Sequence, residues 1–213
     1  MGVVTISAPY GAGGSEVGPA VAAALGLPFV DRAIPVAVAE RLGVTVGEAD
    51  ALDDRAEHGF WVALSGLALI PDLGGAGTLA YYTAPDETLF RQHTEQVLHE
   101  IAAGDGGVML GRAAAMVLRN EPGCLHVRLD GRPADRVQAA MRQHGIAEDE
   151  AARLREENDK AREGYVRHYY RCDPADWRHY HLVLNSCAVP WPAATECIVA
   201  AARGLGISAT HGR

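Results

Sequence analysis

Five short apolar runs, each followed by a helical pattern, set the limits on what this chain can fold into. Residues 2–8, "LPFVD" at 27–31, "GVMLG" at 107–111, "CLHVRLD" at 124–130 and "HLVLN" at 181–185 are apolar with little alternation. Strands covered on both faces read this way, because neither face has to meet water. Helical periodicity fills the gaps: about 15–25, with Val17, Ala20, Val21 and Ala24 on one face, then 33–42, 85–103, 132–145 and 193–204. The highly charged stretch 147–171 predicts one long helix or a helix pair. Gly26 and Gly145 sit where helices stop, and Pro85 suits a first turn. Alternation of this kind predicts an α/β fold, a parallel sheet with helices on both faces.

In such sheets the ligand lies beyond the carboxyl ends of the strands. That edge would gather the loop after strand 1, Asp31 after strand 2, Gly111-Arg112 after strand 3, Asp130 after strand 4 and Asn185 after strand 5. Residues 43–83 break the rhythm. Two helical stretches there precede "PDLGGAGTLAYYT", a loop with breakers at Pro71, Gly74, Gly75 and Gly77. We read 43–83 as an insertion or flap within a single domain of residues 1–213.

"APYGAGGS" at 8–15 lies between the first strand and the first helix. A glycine-rich loop there turns backbone N–H groups toward a phosphate, and the helix N-terminus adds partial positive charge. The phosphate-loop fingerprint is GxxxxGK[ST], with the lysine on the β- and γ-phosphates and the hydroxyl on Mg²⁺. Here Gly13 and Ser15 match, Ala8 replaces the first glycine and Gly14 replaces the lysine. The motif alone leaves a phosphate loop and a tightly packed βα turn equally open. Its position after strand 1 favours phosphate.

Arginine is clustered. Of 19 basic residues, 11 fall between Arg128 and Arg178, and Lys160 is the sole lysine. Guanidinium forks match phosphate bidentately, so the cluster points to a small polyanion such as a nucleotide. Within it Lys160, Arg167 and Arg171 recur at roughly helical spacing with Arg162 nearby. A solvated helix laced with Glu–Arg pairs would look similar. Tyr165, Tyr169 and Tyr170 among these cations suit a segment closing over a nucleotide better. Arg112, taken alone, reads as a surface arginine opening a helix.

Other functions are disfavoured. A net charge of −8 argues against broad nucleic-acid binding. No apolar run is long enough to span a bilayer, and the N-terminus lacks the pattern of a secretory signal, so a cytoplasmic protein is expected. Cys124, Cys172, Cys187 and Cys197 have no metal spacing and read as reduced thiols. The nine histidines form no metal motif, and no nucleophile-elbow pattern occurs. Oligomeric state is left open.

Taken together, "TISAPYGAGGSEVGPAVAAALGLPFVDRAI", "VMLGRAAAMVL", "LHVRLDGRPADRVQAAMRQHGIAEDEA" and "DKAREGYVRHYY" followed by "YHLVLNS" resemble the cytidylate kinase-like family of P-loop nucleoside monophosphate kinases. The resemblance runs through most of the chain and is loose only over 43–83. It implies a three-layer, adenylate-kinase-like fold with a five-stranded parallel sheet. It also implies that the insertion binds the monophosphate and that an arginine-rich lid lies at about 147–178. The implied activity is phosphoryl transfer from ATP, with Mg²⁺, to CMP or a related acceptor. On the matching positions, Gly11, Ala12, Gly13, Gly14 and Ser15 would form the phosphate loop, with Ser15 toward Mg²⁺. Asp31, Arg32, Arg112, Arg132 and Arg136 would lie on the acceptor side, and Lys160, Arg162 and Arg167 would serve catalysis from the lid. Cytidylate kinases keep the loop lysine and an acidic residue before the Gly-Arg pair, where this chain has Gly14 and Leu110. A nucleotide-binding sensor without chemistry is therefore the alternative.

Overall fold

The computed structural model describes residues 2–30 and 87–209. Asp31, Arg32, the 33–42 helix and the 43–83 insertion expected from sequence lie outside the described residues.

The five apolar runs do form strands: β1 (Val3–Ser7), β2 (Phe29–Val30), β3 (Gly107–Leu110), β4 (Cys124–Asp130) and β5 (Leu182–Asn185). They make one parallel sheet in the order β2-β3-β1-β4-β5. Between them run α1 (Gly14–Leu25), α2 (Glu87–Ala103), α3 (Ala114–Val117), α4 (Pro133–His144), α5 (Glu148–Tyr170) and, after β5, α6 (Trp191–Gly204). A 3₁₀ turn, Trp177–His179, precedes β5.

Strand periodicity divides the core between the two faces of the sheet. Val4, Ile6, Val108, Leu125, Val127 and Leu129 pack with α1 and α6. Val3, Met109 and Cys124 pack with Leu98 of α2 and Leu118 beyond α3. The second face also carries a buried polar pair, in which Thr5 Oγ1 and His126 Nδ1 are 2.8 Å apart.

The chain leaves β1 toward β2 and β3 on one side and crosses to β4 and β5 on the other. The crevice where the direction reverses opens over the end of β1. Register fixes what stands there. Ile6 pairs with Leu110, Ser7 with Arg128 and Asp130 with Asn185. The 147–171 stretch is one helix of 23 residues, tied along its surface by Arg153–Glu157 and Arg167–Glu163 pairs. All four cysteines are free. Among the described residues no helix is long and apolar enough to cross a membrane.

Candidate active site

The loop between β1 and α1 is held by its carbonyls. Pro9 O accepts from Ala12 N (3.1 Å), Ala8 O from Arg162 Nη1 (3.0 Å), Tyr10 O from Arg136 Nη1 (2.9 Å) and Ala12 O from Ser186 Oγ (2.7 Å). Tyr10 N donates to Asp159 Oδ1 (3.1 Å). Gly11 and Gly13 are left-handed, at φ 78° and 75°. Neither could carry a side chain: a Cβ on Gly11 would lie 2.2 Å from the Arg136 carbonyl oxygen, and one on Gly13 would lie 2.5 Å from the Trp191 ring. With the carbonyls turned outward, the N–H groups of Gly13, Gly14 and Ser15 have no partner among the described residues. Unpartnered amides at a helix N-terminus, where the helix dipole is positive, can accept an anion.

A cavity of about 280 Å³ opens in front of this loop. Three arginines reach it: Arg112 from the end of β3, Arg128 from β4 and Arg162 from α5. Gly111, Arg112 and Ala113 are consecutively left-handed, at φ 72°, 55° and 52°. Two non-glycine residues in that region are an uncommon cost, and such strain gathers at functional sites. The turn sets Arg112 at the cavity instead of in a regular helix start.

Arg128 is a residue that sequence reasoning placed only within the arginine cluster. Its Nε donates to Asp130 Oδ2 (2.8 Å), its Nη1 to Pro174 O (2.8 Å), and its guanidinium lies 5.8 Å from the centre of the Tyr180 ring. Burial pulls its pKa down, but the Asp130 carboxylate more than offsets this, and the group stays a cation. Tyr165, on the cavity wall, is pushed upward by burial and remains a neutral phenol.

The other expected residues divide. Of the three cations expected to serve a lid, Arg162 lines the cavity. Lys160 and Arg167 are exposed and are not among its walls, because seven residues is two turns and both project from the far side of α5. Arg167 pairs there with Glu163 (3.3 Å) and Asp173 (3.5 Å). Arg132 is exposed on Asp135 at 2.7 Å. Arg136 is buried, bonded to Asp159 at 2.7 Å, to Gly131 O at 3.1 Å and to Tyr10 O. It braces the β1–α1 loop through Tyr10 O; neither Arg132 nor Arg136 lines the cavity.

A second cleft, about 360 Å³, lies on the other flank of the loop, lined by Arg142, Gln143, Val189, Pro190 and Trp191. Gln143 borders both clefts, and its Nε2 donates to Ser15 Oγ (3.1 Å) and Glu16 Oε1 (3.3 Å). Only the folded chain brings α4 and the β5–α6 loop together here.

A parallel sheet in this order, with a free-amide loop at the end of its central strand and arginines reaching over it, defines a P-loop kinase-type protein. The sequence profile of the cytidylate kinase-like family matches residues 3–188, and the chain belongs to that family. A curated uronate isomerase from Corynebacterium glutamicum is 31% identical over 128 residues, which are 60% of this chain and 24% of that protein. The chain thus spans about a quarter of that relative. Among solved structures, an uncharacterized protein from Eubacterium ventriosum superposes with a TM-score of 0.65 at 17% identity, covering 95% of this chain and 99% of that one. A gluconokinase from Sinorhizobium meliloti gives 0.53 at 18% identity, covering 96% and 93%. These likenesses establish the fold.

Proposed function

We propose that the protein transfers the terminal phosphoryl group of ATP to a nucleoside monophosphate of the CMP type. The observation that carries this reading is the loop, whose Gly13, Gly14 and Ser15 amides have no partner among the described residues and border the cavity. The two clefts on its flanks suit a nucleotide lying across it. The phosphates would sit over the amides, and the base would lie on the shelf of Arg142, Val189 and Pro190.

Phosphoryl transfer is mostly positioning and charge neutralisation. An acceptor oxygen attacks the γ-phosphorus in line, the bond to the β-bridging oxygen breaks, and ADP leaves with those electrons. Of the two carboxylates on the cavity wall among the described residues, Asp159 is engaged by Arg136 and Tyr10 N, and Glu163 by Arg167. That arrangement favours an acceptor that needs no general base, and the phosphate oxygen of a nucleoside monophosphate is already ionised. Arg112 and Arg128 would hold this anion. Mg²⁺ prefers a few protein oxygens together with phosphates and waters. Ser15 Oγ, on the cavity wall with a lone pair left beside its bond from Gln143, fits that role. Bound there with the nucleotide, the ion would supply charge neutralisation of the phosphates.

A second reading is a nucleotide sensor without chemistry, motivated by Gly14 and Leu110 where kinases of this kind carry a lysine and an acid. One assay separates the two: ADP formation from Mg-ATP with CMP, dCMP, UMP and AMP as acceptors. Turnover with one of them supports the kinase; ATP binding without turnover on any selects the sensor.

A further inference from the structure

The phosphate-loop fingerprint has glycine at its first position and lysine at its seventh. This chain departs at both, with Ala8 and Gly14. In the fold these are one change. A Cβ built on Gly14 would lie 2.8 Å from Ala8 Cβ and 2.9 Å from Leu110 Cδ1. Leu110 Cδ1 ends a flexible side chain and can swing aside. Ala8 Cβ is fixed to the backbone where β1 runs into the loop and cannot. Gly14 is buried and is not among the left-handed glycines, so the obstacle is contact and not conformation. The methyl of Ala8 occupies the space through which a lysine side chain would leave position 14. A first-position glycine leaves that space open.

We propose that the Ala8 methyl, flanked by Leu110, forms an apolar stop that excludes a side chain at position 14, so that the cation for a terminal phosphate arrives from α5, on Arg162. The inference rests on the reading of this cavity as a nucleotide site. Arg162 Nη1 is already docked on the carbonyl of Ala8, the residue that blocks the lysine. Asp159, one turn earlier on α5, holds the next part of the loop through Tyr10 N. Two successive turns of α5 are thereby keyed to the loop, which sets the reach of Arg162. When a phosphate enters, the guanidinium exchanges a neutral carbonyl for a charged oxygen, a stronger partner. The work divides in a definite way: loop amides hold the inner phosphates, and Arg162 reads the terminal one.

The test is calorimetric titration of Mg²⁺ with adenosine 5′-(β,γ-imido)triphosphate and with ADP, alongside thermal unfolding, on the wild type, Arg162→Met, Gly14→Lys and the Ala8→Gly/Gly14→Lys pair. Arg162 is exposed, so its replacement should lower the melting temperature only slightly, through the lost bond to Ala8 O. Expected is a loss of about tenfold or more in affinity for the triphosphate analogue with Arg162→Met, against less than about threefold for ADP. Gly14→Lys alone should melt earlier and bind the analogue no better than wild type. Adding Ala8→Gly should recover the melting temperature and tighten the analogue. A Gly14→Lys variant that is as stable as wild type and binds the analogue more tightly overturns the steric stop. Equal effects of Arg162→Met on both ligands overturn the assignment of the cation. Absence of heat with either nucleotide on the wild type sinks the nucleotide reading itself, and this inference with it.

Discussion

Arg136 and Asp159 share the polar groups of a single residue. Their own contact is 2.7 Å, and between them they hold Tyr10 O and Tyr10 N. The ion pair is buried, with side-chain exposures of 7% and 12%, and it joins α4, α5 and the β1–α1 loop at one point. Its energy follows from its burial. Removing Arg136 leaves the Asp159 carboxylate with Tyr10 N and only a longer contact to Arg155, at 3.7 Å.

Arg136→Met should therefore cost about 3–5 kcal/mol, the range for breaking a buried pair. For a chain of this size that is a fall of about 10 °C in melting temperature. Asp159→Asn keeps an acceptor for Tyr10 N and should cost less. Chemical denaturation of both single variants and the double checks this. Additive losses would show that the two residues act independently and contradict the shared clamp.

His126 gives a pH dependence. Burial first, and the neighbouring His181 second, pull its pKa from 6.5 to about 4. Its ring stays neutral in the fold, 2.8 Å from Thr5 Oγ1 and stacked on His181 at 5.0 Å. The unfolded chain takes up the proton near pH 6.5, so this contribution is complete above that pH. It is lost as pH falls from about 6.5 toward 4, by at most about 3 kcal/mol. Urea unfolding between pH 7.5 and 5 should show the decline, and His126→Asn should flatten it. An unchanged slope in that variant would assign the decline to other groups.

Lys160 and Arg167 serve as an internal control for the role proposed for Arg162. Both lie on the side of α5 away from the cavity, so Lys160→Ala and Arg167→Ala should change ATP affinity by less than about threefold, as expected for exposed charges. Calorimetry on these two variants decides it. Losses as large as those at Arg162 would mean that α5 turns in the bound state.

Arg128 and Tyr180 both donate to Pro174 O, at 2.8 Å each, and so pin the segment between α5 and β5. Arg128→Leu removes one donor and the Asp130 pair together. Trypsin should then cut after Arg171 or Arg178 several-fold faster than in the wild type, because cleavage follows local opening. Unchanged cleavage would limit Arg128 to a role at the cavity.

Much of this architecture was legible in the sequence. The β4 run, Cys124–Asp130, and the stop of α4 at Gly145, left-handed at φ 67°, stand where pattern and punctuation put them. Helix α6 begins at Trp191, two residues before the expected 193, because Pro192 is tolerated in a first turn where no N–H is needed. The site was legible in part. Loop position and the Gly111-Arg112 strand end are local features and survive folding. The tasks of the arginines are not local. Helical spacing groups Lys160 with Arg167 but does not say which side of α5 meets the cavity. Nor does it show Arg136 bending back to the loop. The relation of Ala8 to Gly14 spans six positions and a turn, and only the coordinates show that one methyl accounts for both departures.

The proposed function requires a loop without lysine to bind phosphate through its backbone. Backbone amide resonances followed by NMR during titration with Mg-ADP test it most directly. Gly13, Gly14 and Ser15 should move most, downfield as their N–H groups gain acceptors, with Gln143 and Arg142 following on the base side. Saturable binding that leaves those three amides in place, with the largest shifts elsewhere, would contradict it.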